Sequence, residues 1–81
     1  MNIIETKTKI ATLIDHVDHS TGGTFALYFK KGLLMITPTK NLPKDCAKIA
    51  SITAFEIQCG LTPNAWENIA LSVLKAWRQL S

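Results

Sequence analysis

Two short apolar runs, Phe25-Ala26-Leu27-Tyr28-Phe29 and Leu33-Leu34-Met35-Ile36, constrain this chain more than any other feature. Lys30-Lys31-Gly32 separates them, and a loop of about three residues ending in Gly suits a type I turn with a G1 bulge. They read as a β-hairpin with strands near 24–29 and 33–37, closed by Pro38. Neither strand alternates. Phe25, Leu27 and Phe29 point to one face, Ala26 and Tyr28 to the other, so both faces are apolar and both need cover. Helices of the same chain can supply one cover; the second calls for another helix or another molecule.

Before the hairpin, Ile3, Ile10, Leu13, Ile14 and Val17 share one helical arc, opposite Glu5, Thr8, Lys9, Thr12, Asp15, His16 and His19. This predicts an amphipathic helix over roughly 3–17, although its β-branched content also permits a strand. Ser20-Thr21-Gly22-Gly23 ends it. After the hairpin, Pro43 in a first turn and the arc of Cys46, Ala47, Ile49, Ala50, Thr53, Ala54 and Ile57 predict a helix over about 43–59. Phe55, Ile57 and Cys59 also alternate with Glu56 and Gln58, so a third strand over 53–59 is the alternative.

Gly60-Leu61-Thr62-Pro63 is the sharpest local signal. Gly60 suits a helix end, Thr62 an N-cap and Pro63 a first helical position, with Leu61 placed to staple onto Trp66. A last helix over 63–80 follows, with Trp66, Ile69, Ala70, Val73, Leu74, Trp77 and Leu80 on its apolar arc. The expected fold is a single compact α+β domain over 1–81, in the order helix, hairpin, helix, helix. At 81 residues the chain is too short to divide into two units that each keep a core.

Function is expected from what the chain lacks and what it has in excess. No phosphate-binding glycine loop, nucleophile elbow or paired-cysteine motif occurs, and Asp15-His16-Val17-Asp18-His19-Ser20 has neither the ligand count for zinc nor the dispersed geometry of a triad. No catalysis, metal, cofactor or small-molecule substrate is expected. With both cysteines on one helix, Cys46 and Cys59 would stand about 20 Å apart and stay reduced. No apolar run is long enough for a membrane span or a secretory leader, so a cytoplasmic location is expected.

The apolar surplus points to a partner. Ile52, Phe55 and Cys59 break the polar arc of the expected middle helix, and Tyr28 and Leu34 lie on the two-sided hairpin. The formal charge is +3, and the excess falls within residues 23–48, where Lys30, Lys31, Lys40, Lys44 and Lys48 face only Asp45. These ten side chains are the expected interaction surface of a non-enzymatic protein-binding module. It would dock on a larger protein as a small bacterial or mobile-element regulator or inhibitor, or pair with its own copy as a homodimer. The alternative is a helix-turn-helix-like DNA-binding protein reading with helix 63–80; Arg78 as the sole arginine argues against it.

Overall fold

The computed structural model describes residues 1–80, and its elements run α1 (Ile3–Asp15), β1 (Thr24–Lys30), β2 (Leu33–Pro38), a 3-10 turn (Thr39–Asn41), β3 (Lys48–Thr53), α2 (Ala54–Cys59) and α3 (Pro63–Leu80). The class is α+β, and helix, hairpin, helix, helix follow in the expected order with a third strand among them.

α1 starts at Asn2, whose side chain accepts the Glu5 amide at 2.9 Å. Its threonines are tolerated because Thr6, Thr8 and Thr12 each donate their hydroxyl to the carbonyl four residues earlier, at 2.9–3.0 Å. Thr6 is fully buried on this account, a core position that hydropathy alone would not nominate.

The hairpin forms with a tighter turn than the sequence suggests. Lys30 pairs with Leu33, leaving a two-residue loop in which Lys31 has φ 53° and Gly32 φ 77°. Both angles positive make this a type I′ connection, whose twist matches that of the flanking strands. That geometry wins although it holds a lysine in the left-handed region.

The segment expected as one helix over 43–59 is the main correction. Residues 48–53 form β3, antiparallel to β1 with Phe25 opposite Ile52, and only 54–59 are helical, so the strand precedes the 53–59 window rather than filling it. The sheet order is β2-β1-β3. A register shift at Leu27/Tyr28 pairs Leu27 with Ala50 and Tyr28 with Lys48, leaving Ile49 extra. This bulge disrupts alternation and brings Ile49, Ala50 and Ile52 all onto the core, which imitates helical spacing. Thr53 then ends the strand and caps α2: its hydroxyl accepts the Glu56 amide at 3.1 Å, while the Glu56 carboxylate accepts the Thr53 amide at 3.2 Å.

α1 and α3 lie antiparallel on one sheet face. Ile10, Ile69 and Val73 meet Phe25, Leu27 and Ile52 there, and Phe29 packs on Trp77 with ring centroids 5.5 Å apart. As expected, Thr62 caps α3, accepting the Ala65 amide at 3.2 Å. Gly60, at φ 88° and ψ 151°, turns the chain between α2 and α3 in a conformation open essentially to glycine alone.

The other sheet face is covered by the chain itself over β1 only; in β2, Met35 (38% exposed) and Leu33 (66%), opposite Tyr28 and Lys30, stay in water on it. β2 and β3 flank β1 and run parallel, so residues 39–47 must return from the Thr24 end of β1 to the Tyr28 end. The Thr39 hydroxyl donates to the Thr24 carbonyl at 2.8 Å at the start of this crossover, and Leu42 and Pro43 within it are half-buried. Ala26 at 0% exposure and Tyr28 at 6%, both on this face, are buried within the single chain.

Candidate interaction surface

The ten side chains nominated from sequence separate into three groups. Ile52 is wholly buried and Tyr28 nearly so, which places both in the interior rather than at a surface; Leu34 is half-buried against the core. Phe55 is 73% exposed and Cys59 is exposed one turn further along α2. The five lysines are all exposed. Ile52 and Phe55 are thus parted by the strand-to-helix transition at Thr53, and the expected stripe does not exist as one face.

Other apolar groups lie outside. Ile4 (73%), Leu33 (66%), Leu80 (63%) and Leu71 (52%) remain largely in water. Ile4 and Leu71 sit about one turn beyond the Lys7–Glu67 ion pair (2.8 Å) that joins α1 to α3, on the outer side of the helical layer. Leu33 follows the hairpin turn, and Leu80 ends α3.

The lysines do not form one patch, because the crossover carries them apart. Lys40 stays beside Thr39 at the Thr24 end, whereas Lys44 and Lys48 travel with the chain to the hairpin end, where Lys30 and Lys31 already stand. β1, with seven residues, makes these ends about 20 Å distant. The helices reinforce the separation. Lys9 borders Leu33 and Leu34, and the last turns of α3, with Lys75 and Arg78, approach Phe29 and residues 45–47. Asp15 and Asp18 close α1 beside Phe25 and Pro38, and Glu56 follows Thr53 at that same end. Counting side chains, and setting Asp45 and the first-turn Glu5 of α1 against the seven cations there, five net positive charges gather at the hairpin end and two net negative charges at the other, with Lys7 and Glu67 cancelling between them.

Two clefts flank the helical layer. One, of about 400 Å³, lies between the end of α1 and β2 and is bordered by Leu13, His16, Asp18, Met35 and Ile36. The other, of about 320 Å³, lies at the hairpin end between residues 45–47 and the last turns of α3, with Phe29, Ile49, Ala76 and Leu80 in its walls. Cys46 borders it. Desolvation, the neighbouring Asp45 carboxylate and a hydrogen bond from the thiol to that carboxylate (3.7 Å) hold the Cys46 pKa above its ordinary value, against a smaller opposing pull from Lys30. A thiol held protonated is a poor nucleophile. Cys46 and Cys59 are both free, parted by β3 and α2 rather than spaced along one helix.

Among the described residues no three His, Cys, Asp or Glu side chains are grouped to hold a metal ion. No helix of the described residues is long and apolar enough to cross a membrane. The helix-turn-helix geometry is partial: α2 has six residues, and Glu67 on the outer arc of α3 is tied to Lys7.

Fold and surface together define a small two-layer α+β domain with a basic, partly apolar end. No protein-family model, curated protein or solved structure matches the chain.

Proposed function

We propose that this chain is a non-enzymatic protein-binding module that docks on a larger protein, in the manner of a small bacterial or mobile-element regulator or inhibitor, in a reducing compartment such as the cytoplasm. One observation carries the reading. With the core closed and the central strand buried on both faces, Ile4, Leu33, Phe55, Leu71 and Leu80 are still more than half exposed. Where such groups adjoin, as Ile4 and Leu71 do one turn beyond the Lys7–Glu67 ion pair, an apolar patch rimmed by charge has the composition of a protein-contact surface. Self-association belongs to the same reading, since an apolar surface can meet its own copy about a two-fold axis.

The experiment is co-purification of the tagged chain from its native cell, identification of any stoichiometric companion, and reconstitution from purified components, with light scattering of the chain alone. The expected result is a companion, or a dimer, whose affinity falls at least about tenfold in Leu33→Asp or Phe55→Asp, equal to about 1.4 kcal/mol. A strict monomer that brings down nothing and rebinds nothing would overturn it.

A second reading is favoured by the basic end. Lys75 and Arg78, in the last turns of α3, lie there, which supports a helix-turn-helix-like DNA-binding protein in which helix 63–80 meets the phosphates through its C-terminal turns.

A further inference from the structure

We infer that the cleft at the hairpin end receives a large apolar side chain from an acidic segment of a protein partner. The walls are mainly apolar, with Phe29 and Ile49 from the sheet, Ala47 from the crossover and Ala76 and Leu80 from α3, and are completed by Asp45, Cys46 and Gln79. Its volume, about 320 Å³, stands at the bottom of the range for small-molecule pockets, about 300–1,000 Å³, and suits a single anchor residue. Charge identifies what surrounds that anchor. Lys44 and Lys48 bracket the crossover segment in the chain, Lys75 precedes Ala76 in α3, and Lys30 stands near enough to Cys46 of the wall to act on its charge, while Asp45 is the one acid in the lining. An apolar side chain set among Asp and Glu satisfies both features, and the five net positive charges at this end steer such a segment toward it. A phosphate backbone satisfies only the lysines and leaves Leu80, 63% exposed, with nothing apolar to cover it.

The inference rests on the protein-binding reading, and the two fail separately. The test is an amide NMR titration of the full chain with three probes: a synthetic Asp/Glu peptide with one central Phe, the same peptide with Ser replacing that Phe, and a mixed-sequence DNA duplex. The Phe peptide is expected to shift the amides of Phe29, Ala47, Ile49 and Ala76. The Ser peptide should bind at least about tenfold more weakly, as should the Ala47→Glu chain and, should that variant misfold, the Leu80→Asp chain. Lys40→Glu, at the opposite end, should bind as the unaltered chain does. Equal binding of the two peptides, no shifts, or shifts away from these walls would overturn the cleft, as would tighter binding of the duplex to the same amides. A companion that co-purifies, rebinds and ignores Ala47→Glu would remove the cleft while leaving the protein-binding reading intact. A peptide that binds as expected, in a chain with no companion and no dimer, would do the reverse.

Discussion

The Thr39 hydroxyl donates to the Thr24 carbonyl at 2.8 Å across fifteen positions of sequence. It fastens the start of the crossover to the start of the central strand, the strand in which Ala26 and Tyr28 are buried. Thr39→Val removes the donor with little change of shape. A loss of about 0.5–1.5 kcal/mol is expected, read as a lower urea midpoint at unchanged slope. A wild-type midpoint would show that the crossover is held by packing alone.

Ile52 and Phe55 should respond in opposite ways. Ile52→Ala opens a cavity in the core between the helices and the sheet and is expected to cost about 2–5 kcal/mol. Phe55→Asp places an acid in the first turn of α2, at a side chain already 73% in water, so stability should stay within about 0.5 kcal/mol with helicity retained. Comparable destabilisation of both would mean that Phe55 is core.

The capping box at Thr53 supports the shortest helix. Thr53→Ala leaves the Glu56 amide without its acceptor, at a cost of about 0.5–2 kcal/mol. Hydrogen exchange should quicken in α2 before it does in α3. Uniform loss of protection would mean that α2 does not open independently.

The turn can be improved. Lys31 sits at φ 53°, where a lysine is disfavoured by roughly 1–2 kcal/mol, while Asn followed by Gly is the preferred type I′ pair. Lys31→Asn should therefore raise the thermal midpoint. An unchanged or lower midpoint would contradict the turn geometry.

Cys46 offers a chemical readout. Alkylation proceeds through the thiolate, and a raised pKa leaves less thiolate at a given pH, so Cys46 should react more slowly in the folded chain than in urea at the same mildly alkaline pH. Asp45→Asn removes a carboxylate that raises this pKa, and the folded-state rate should rise. If the rate is indifferent to Asp45, the electrostatic cause is wrong.

Binding to duplex DNA, if it occurs, should register the charge gathered at the hairpin end. Five phosphates neutralised there would give a log-log salt slope of about −4.5. Lys40→Glu should leave that slope unchanged, and Lys48→Glu should reduce it. The same effect from either variant would deny that the charge is segregated.

What was legible in the sequence was whatever neighbouring residues decide among themselves. Thr62 and Pro63 start α3 because a cap and a fixed φ act within one turn, and the two apolar runs around Lys31-Gly32 close on each other across a short loop. Thr53 and Glu56 carry the spacing of a capping box and mark the start of α2, a local signal that the expectation of one helix over 43–59 overlooked. Tertiary structure alone decided the rest. Residues 48–53 became a strand because β1 had an open hydrogen-bonding edge, and a bulge let them fill it without alternating. That pairing sent residues 39–47 across the sheet, which divided the lysines between two ends. Such outcomes depend on backbone groups far apart in the chain finding each other, and no periodicity within one segment encodes them.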